Sequence, residues 1–519
     1  MANVVLVFPK IQEMRSERPN LGVLYLAAML LKNNISVEII DETVQGDGRD
    51  LLDRHMASDT VCVGISALSG AQLWGALNVA EYVRRKRPDL PIVWGGTHAT
   101  SDPEGTLKHP LVDAICIGEG EVSFVEMINT FKDGRDLNDV AGIGFKKNGS
   151  PILSKRRDSF FDLDSMPSLP YHLIDLELYK RPIFPDFFGF TSTRILSIET
   201  SRGCPFRCTY CVQSVKKERF RAMKADTVVR FIEDIVKLGA SGLAIVDDNF
   251  FVNHNRAVQV MQNICQRNWN LEVFVSVRSD YLAKIDNDTY DLIKRFGVKL
   301  FSIGVESGSD RVLQEIIGKR EKIKATYMAI HKLTKVGIHA FYHFIVGFPG
   351  ETLDDIIDTY KAMTHILKTN PYAKISNKKL IPLPGTVVLE KCVSSGMKRP
   401  ETIEDWADIE DLQWNRHAPY VDPKTEQWFR NTRYYNNLMR FLSELRSPRD
   451  SFKRKLLRAG ITPLFVMLSW IISLRAYLHI PGFFVDNVIM DPLAILVQKL
   501  LLIGYKVKNP RWVGKFSRK

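Results

Sequence analysis

The chain has 519 residues, of which 45% are hydrophobic and 25% are charged, with 32 Gly and 24 Pro. At roughly 100 to 200 residues per domain, this length predicts about three folded domains. The composition argues against a disordered, collagenous or polytopic membrane protein. The seven cysteines are odd in number and three of them lie within eight residues, which argues against a secreted disulfide framework and favours reduced thiols.

The net charge of +12 is concentrated in the last part of the sequence. Residues 446–519 contain 14 Lys and Arg against three Asp, so the preceding 445 residues are nearly neutral. At the other end, the sequence runs directly into the apolar residues Val4 to Phe8, without a basic region or a small-residue cleavage site. This pattern predicts a first strand rather than a signal peptide, and therefore a cytoplasmic protein.

Short apolar runs alternate with helical patterns in the first 120 residues. Apolar residues recur at three and four positions in 21–31 and 72–85, which predicts helices between strands and therefore a parallel, doubly wound α/β sheet of Rossmann-like type. The predicted strands are Val4 to Phe8, Val37 to Ile40, Val61 to Ser66, Ile92 to Trp94 and Ala114 to Ile117.

Polar and glycine-rich loops follow three of these strands. Ligands of doubly wound sheets bind at the carboxyl ends of the strands, and glycine there lets the backbone approach a large ligand. Simple tight turns would use the same residue types, so the glycine pattern leaves both interpretations open. The candidate binding residues in these loops are Ser66, Gly95, Gly96, His98, Gly118 and Glu119.

The strongest chemical signal is a C-x-x-x-C-x-x-C spacing formed by Cys204, Cys208 and Cys211, directly after the apolar run Ile195 to Ile198. Soft thiolates bind iron–sulfur clusters or zinc, and three thiolates can hold three irons of a [4Fe–4S] cluster while one iron stays open. Structural zinc would require a fourth nearby ligand, and Cys265 and His172 are distant in sequence. The spacing therefore favours a cluster.

This loop, with Tyr210 before the last cysteine, resembles the signature of the radical SAM superfamily. The resemblance implies that the open iron binds S-adenosylmethionine (SAM) and that an electron from the cluster cleaves it to methionine and a 5′-deoxyadenosyl radical. The loops at 18–22, 95–100 and 118–121 further resemble the cobalamin-binding domain of B12-dependent radical SAM enzymes. Residues 1–60 lack the D-x-H-x-x-G motif that supplies a cobalt-binding histidine in many cobalamin domains, which leaves His98 as a candidate contact and an ordinary hydrogen-bonding histidine as the alternative.

Six strand-like runs from Ile195 to Ile381, separated by helical segments, predict a partial (βα)6 barrel of TIM type with its site at the carboxyl ends of the strands. The family resemblance implies that Asp248 approaches the SAM amino group, that Ser276 and Arg278 approach its carboxylate or ribose, and that Glu306 approaches the ribose. As an alternative, Asp247 and Asp248 would cap a following helix.

The predicted organisation has five parts, the last two of which are defined by composition. Aromatic residues are frequent in 386–445, which predicts a helical cap over the barrel or ordinary core packing. The parts are a cobalamin-binding-like domain (1–145), a linker (146–194), a radical SAM barrel (195–385), an aromatic-rich helical cap (386–445) and a basic, apolar tail (446–519).

The tail combines apolar runs with flanking Lys and Arg. Its first run, 461–474, is shorter than the roughly 20 residues of a spanning helix, and charge and proline interrupt the second. This pattern predicts peripheral contact with the inner face of an anionic membrane. A buried helical domain with a basic rim is the alternative, and no nucleic acid is expected as a partner.

These features together predict a B12-dependent radical SAM methyltransferase that acts on an unactivated carbon of a hydrophobic substrate such as a lipid or polycyclic compound. An electron donor of the flavodoxin or ferredoxin type is expected. The alternatives are a radical SAM cyclase or carbon–carbon bond-forming enzyme, and a non-catalytic cobalamin-binding regulatory module. An RNA methylthiotransferase is disfavoured because only Cys62 and Cys116 precede the cluster loop.

Overall fold

The computed structural model describes residues 4–11, 14–157, 160–180, 190–216, 218–412 and 417–426. The tail at 446–519, for which the sequence predicts membrane contact, lies outside the described residues. Within the described residues, no helix is both long and apolar enough to cross a bilayer.

The first domain is a seven-stranded sheet in the order β2-β1-β3-β4-β5-β6-β7, in which β1 to β5 are parallel. This confirms the predicted doubly wound α/β domain, because all five predicted strands form and pair in parallel. β1 is buried along its whole length, as expected for a parallel strand covered on both faces. The strands are β1 (Val4–Phe8), β2 (Val37–Asp41), β3 (Cys62–Ser66), β4 (Ile92–Gly95), β5 (Ala114–Cys116), β6 (Ile143–Lys147) and β7 (Ser150–Leu153).

Helices connect these strands at the positions that the periodicity predicts. The helix 21–31 is observed as Leu21–Lys32 and begins at Asn20, whose side chain accepts a hydrogen bond from the Val23 backbone. The helices of this domain are Leu21–Lys32, Glu42–Gln45, Arg49–His55, Gln72–Lys86, Thr97–Ser101, Pro103–Lys108 and Gly120–Lys132.

The predicted boundary at residue 145 is wrong, since the sheet continues into the segment that the sequence analysis assigns to the linker. β6 pairs antiparallel with β5, and β7 pairs antiparallel with β6. Residues 143–147 and 150–153 therefore complete the edge of the first sheet.

The second domain is a six-stranded sheet in the order β15-β14-β13-β12-β11-β8, parallel throughout. This confirms the predicted partial barrel. A small ribbon, β9 paired antiparallel with β10, lies beside it. The strands are β8 (Ile195–Ile198), β9 (Ser201–Arg202), β10 (Arg221–Ala222), β11 (Gly242–Ile245), β12 (Glu272–Arg278), β13 (Val298–Glu306), β14 (His339–Val346) and β15 (Ala373–Lys379).

Amphipathic helices cover the outside of this sheet, and their apolar faces pack on the outward side chains of the strands. The α-helices from the cluster loop onward are Val212–Lys216, Ala225–Lys237, His254–Cys265, Ser279–Lys284, Asn287–Arg295, Ile323–Val336, Leu353–Thr369, Val387–Ser394 and Ile403–Ala407, and a π-helical turn spans Val312–Ile316.

The described part of the predicted aromatic cap packs against the first domain. Trp406, which is 3% exposed, donates a hydrogen bond from its indole to Asp102 over 3.1 Å. Trp74 of the first domain donates in return to Asp408 over 2.9 Å. Residues 403–408 therefore behave as ordinary core packing that ties the end of the barrel to the first domain, while 413–416 and 427–445 lie outside the described residues.

A buried carboxylate fixes the loop after β14 to the end of β13. Asp355 accepts hydrogen bonds from the Ser309 hydroxyl over 2.6 Å, from the Thr352 hydroxyl over 2.7 Å and from the Arg311 guanidinium. Burial by itself raises the pKa of Asp355, but these donors outweigh it and lower the pKa to about 2.

Asp355→Asn is expected to remove a stabilising interaction that depends on pH. Since the pKa of this carboxyl is lower in the folded than in the unfolded state, its contribution is present above about pH 4 and is lost as the pH falls toward 2. The variant should be about 2 kcal/mol less stable at pH 7, and the difference from wild type should shrink in acid. Urea unfolding between pH 7 and pH 3 measures this, with the half-exposed Asp358 on the same helix as the control, as Asp358→Asn.

Candidate functional site

The cluster loop, residues 199–211, begins at the carboxyl end of β8. Asp247, at the carboxyl end of the neighbouring strand β11, accepts hydrogen bonds from the Thr200 backbone over 2.5 Å and from the Thr200 and Ser201 hydroxyls over 2.6 Å each. Arg256 donates to the Thr200 carbonyl over 2.7 Å. The start of the loop is therefore held rigidly against the barrel, and Asp247 has a bracing role rather than a helix-capping one.

The thiols of Cys204, Cys208 and Cys211 are free and half-buried. Burial raises the pKa of each thiol, and the negative charge on neighbouring thiols raises the pKa values of Cys208 and Cys211 further. The three thiols therefore lie near enough on one loop to act on one another electrostatically. In the described residues no group of side chains has the arrangement of ligands around a single ion. Three thiols on one short loop fit a [4Fe–4S] cluster, in which each binds a different iron.

Cations and aromatic rings surround the thiols. The Arg278 guanidinium lies 3.6 Å from the centre of the Phe206 ring, donates to Asp280 over 3.0 Å and lies 3.4 Å from Glu321. Its positive charge lowers the pKa of the Cys208 thiol, against the effect of burial. Arg278 therefore supports the loop between two of the cysteines through Phe206.

Glu306 is buried at the end of β13 with a backbone φ of +72°. A non-glycine residue in this region of conformational space costs free energy and is typical of functional sites. Its carboxylate lies 3.8 Å from the Lys319 ammonium, and burial raises its pKa while Lys319 and a hydrogen bond from Tyr210 oppose that rise. Glu306 is therefore connected to the aromatic residue that precedes Cys211.

The other two residues that the family resemblance assigns to SAM lie at separate points of the barrel rim. Asp248 is exposed and accepts a hydrogen bond from the Gln213 side chain over 3.0 Å. Ser276 is half-buried on β12, two residues before Arg278, and its hydroxyl has no hydrogen-bond partner among the described residues. Both side chains are free to contact a ligand.

A cavity lies between the two domains. Five of the six loop residues predicted for the first domain line it, and so does Asp248 from the barrel. The helix that follows the cluster loop contributes Gln213 and Lys216, and the β9 strand contributes Arg202. The five first-domain residues are Ser66, Gly95, Gly96, Gly118 and Glu119.

Glycine keeps the first-domain wall of this cavity clear. Gly118 has a φ of +80°, and a Cβ atom built on it would meet no atom within 4 Å. Gly96 has a φ of +93°, and a Cβ atom there would lie 2.9 Å from the Ala67 carbonyl. A side chain at Gly118 would project into open space, so the wall offers a bare backbone surface that fits a large planar ligand such as a corrin.

His98 does not line the cavity. The side chain is fully buried, its Nδ1 lies 2.9 Å from the Ser69 hydroxyl and its ring contacts Trp406 edge-on at 6.2 Å. Burial lowers the pKa of His98 to about 4, so the imidazole is neutral at physiological pH. The residue joins the first domain to the segment 403–408 instead of reaching the cavity.

Sequence reasoning missed the side chain that joins the two walls of the cavity. The Arg202 guanidinium lies 2.6 Å from Glu121 and 3.5 Å from Glu119 of the first domain, and 2.7 Å from Glu199 of the barrel. It also lies over the Tyr25 ring at 5.0 Å. We call Arg202 with these three carboxylates the ionic clamp. The only part of the ionic clamp that the sequence pointed to is the Gly-Glu-Gly-Glu turn at 118–121, which contains Glu119 and Glu121.

Arg221 reinforces the ionic clamp from the second strand of the ribbon. It faces Arg202 across the β9–β10 pair, donates to Glu119 and donates to the Phe161 carbonyl over 2.9 Å. Burial raises the pKa of Glu199 to about 7 although Arg202 opposes this rise. Two guanidiniums thus hold three carboxylates, and the ribbon fixes the first domain to the start of the cluster loop.

Arg202→Met is expected to destabilise the protein strongly, because it leaves the buried Glu121 and the partly buried Glu199 without their cation. Removing one partner of a buried ion pair costs on the order of 3 kcal/mol. Thermal unfolding of the cofactor-free protein under nitrogen measures the loss. Arg135→Met, which breaks an exposed pair with Asp133, should change the melting temperature little, and equal melting of the two variants would contradict a clamp.

Two family models match this chain. The radical SAM superfamily model matches residues 198–363, and the B12 binding domain model matches residues 11–128. The matches coincide with the barrel and the first domain described above.

Curated relatives span most of the chain and include methyltransferases and cyclases. The "Uncharacterized methyltransferase PH0819" of Pyrococcus horikoshii is 30% identical over 411 residues, covering 77% of this chain and 84% of the relative. The anaerobic magnesium-protoporphyrin IX monomethyl ester cyclase of Synechocystis sp. is 26% identical over 68% of this chain and 69% of its own. The hopanoid C-3 methylase of Methylococcus capsulatus is 24% identical over 61% of each chain.

The fold is similar to that of the cobalamin-dependent SAM radical enzyme OxsB, solved with aqua-cobalamin and SAM. The TM-score is 0.70 at 18% identity, with 96% of this chain and 75% of OxsB covered. The fold, the three thiols of the cluster loop, the family matches and the relatives agree. The chain belongs to the radical SAM superfamily, among the enzymes that carry a B12-binding domain before the radical SAM domain and use a [4Fe–4S] cluster, SAM and cobalamin.

Proposed function

We propose that this enzyme is a methyltransferase that methylates an unactivated carbon of a hydrophobic small molecule. One observation carries the proposal: a single cavity is lined both by the glycine loops of the B12-binding domain and by Gln213 and Asp248 beside the cluster cysteines. A methyl carrier and a radical source that share one cavity can act on the same substrate carbon.

The residues that would hold the cofactors follow from the geometry. Cys204, Cys208 and Cys211 would bind the cluster, and Gly95 and Gly118 would lie against the corrin. When bound, the cluster with SAM supplies a radical that removes hydrogen from carbon, and cobalamin supplies the methyl group, which is chemistry that protein side chains cannot perform.

The side chains of the protein would position SAM and the cluster loop and would exclude water from the cavity. Asp248 and Ser276, whose side chains are open to a ligand, would contact SAM. Arg278 and Glu306 would act by holding Phe206 and Tyr210 in the cluster loop, since both are already engaged in ion pairs inside the protein. Apolar side chains on the cavity wall, such as Leu26 and Val246, would exclude water from a reactive intermediate.

The substrate class is proposed from two observations. The sequence of 446–519 combines apolar runs with basic residues, a pattern typical of contact with an anionic membrane surface. One relative acts on a hopanoid according to its name. A lipid or polycyclic substrate fits both, and an electron donor of the flavodoxin or ferredoxin type would reduce the cluster.

Cys208→Ala is expected to abolish turnover and to lower the iron content, because two thiols cannot hold the cluster. The anaerobically reconstituted enzyme should form both 5′-deoxyadenosine and S-adenosylhomocysteine from SAM, and the variant should form neither above background. Iron analysis and chromatography of the SAM products measure these outcomes.

Cys265→Ala is the matched control, since Cys265 is free and half-buried on the distant helix His254–Cys265. It should retain iron and both products. Formation of 5′-deoxyadenosine without S-adenosylhomocysteine by the wild-type enzyme would contradict a methyltransferase and favour a cyclase. If the wild type formed no product from SAM and Cys208→Ala still bound cobalamin, the protein would be a regulatory module.

A further inference from the structure

One buried carboxyl in the cavity between the domains has no hydrogen-bond or ion-pair partner among the described residues. Glu218 follows the helix Val212–Lys216, lines the cavity and is 8% exposed. Among the described residues it forms no ion pair and accepts no hydrogen bond, although Lys216, Arg221 and Arg202 lie near enough to lower its pKa against the rise that burial causes.

The other acidic residues of this wall differ from Glu218 because each has a donor. Glu199 accepts a hydrogen bond from Arg202 over 2.7 Å, and Asp248 accepts one from Gln213 over 3.0 Å. Glu119 accepts hydrogen bonds from Arg221. The carboxylate oxygens of Glu218 are not among the side-chain atoms that are fully closed off from solvent, and the residue lines the cavity. A ligand in the cavity can therefore supply the donor that this largely buried carboxylate needs.

The surroundings of Glu218 identify which cofactor that ligand is. Of its charged neighbours, Arg202 and Arg221 lie on the ribbon and Glu119 on the first-domain turn, whereas Lys216 ends the preceding helix and also acts on Asp248. Asp248, in contrast, acts on the Cys204 and Cys211 thiols. Glu218 also stands three residues before Arg221, which donates to Glu119 of the first-domain wall, so we place it on the cobalamin side of the cavity.

Cobalamin offers the required donors. The edge of its corrin ring carries primary carboxamides, whose N–H groups donate to a carboxylate as an asparagine side chain does. We propose that Glu218 accepts a hydrogen bond from a corrin carboxamide and thereby makes the cavity selective for amide-bearing corrins over corrins with free carboxylates. This inference uses the cobalamin site and is independent of the reaction under Proposed function.

Glu218→Ala and Glu218→Gln test the inference in the full-length protein. Titration of the cobalamin-free protein with hydroxocobalamin, followed by absorbance, gives the affinity without turnover. We expect at least tenfold weaker binding for Glu218→Ala and a smaller loss for Glu218→Gln, which keeps an oxygen acceptor. SAM binding should not change. Glu81→Ala, on the exposed face of the helix Gln72–Lys86, is the control.

Two further measurements separate ligand binding from a structural role. Thermal unfolding of the cobalamin-free Glu218→Ala protein should match or exceed that of wild type, because the variant removes an unpaired buried carboxyl. Cobyrinic acid, which bears carboxylates in place of the amides, should bind the wild type poorly and Glu218→Gln better.

The outcomes that overturn the inference are specific. Unchanged affinity of Glu218→Ala for hydroxocobalamin would mean that water alone solvates this carboxyl. A lowered melting temperature of the cobalamin-free variant would indicate a structural role. Weaker SAM binding with unchanged cobalamin binding would place the donor on the other cofactor.

Discussion

The arrangement of the two domains depends on a buried guanidinium. Arg202 stands two residues before the first cluster cysteine and binds carboxylates from both domains. Removing these charges from water costs free energy, and their mutual attraction offsets that cost only when the charged groups are at hydrogen-bonding distance. The ionic clamp therefore favours the observed arrangement of the domains, and removing only its cation is costly because the carboxylates stay behind without a partner.

The same segment, residues 200–204, also determines the position of the cluster loop. Asp247 and Arg256 hold the backbone at Thr200, the ionic clamp follows at Arg202, and the thiols begin at Cys204. The support of the cluster loop and the wall of the cavity between the domains are thus one continuous structure. A shift of the first domain would move the cavity relative to the thiols, so the distance between the cavity wall and the thiols depends on Arg202, Asp247 and Arg256.

The elements that could be predicted from the sequence have strong local signals. All eleven strands expected in the two parallel sheets form within a few residues of their predicted bounds, because buried parallel strands are continuous apolar runs. The sequence analysis did not predict β6 and β7, which fall at the start of the segment assigned to the linker. It also did not predict the ribbon, because β9 and β10 have only two residues each and pair with residues distant in sequence. The sequence also could not show that His98 is buried away from the cavity, because His98 packs against Trp406, which is more than 300 residues away in the sequence.

The sequence by itself determined the fold class and the spacing of the three cysteines that we propose as cluster ligands. The periodicity of strands and helices and the spacing of the cysteines are local patterns, so they can be recognised without knowing any tertiary contact. Only the tertiary structure decided which carboxylates are paired and which one is left facing the cavity. Glu119, Glu199 and Glu218 are the same residue type, and their roles differ because only the folded chain decides which carboxylate pairs with a guanidinium and which faces the cavity.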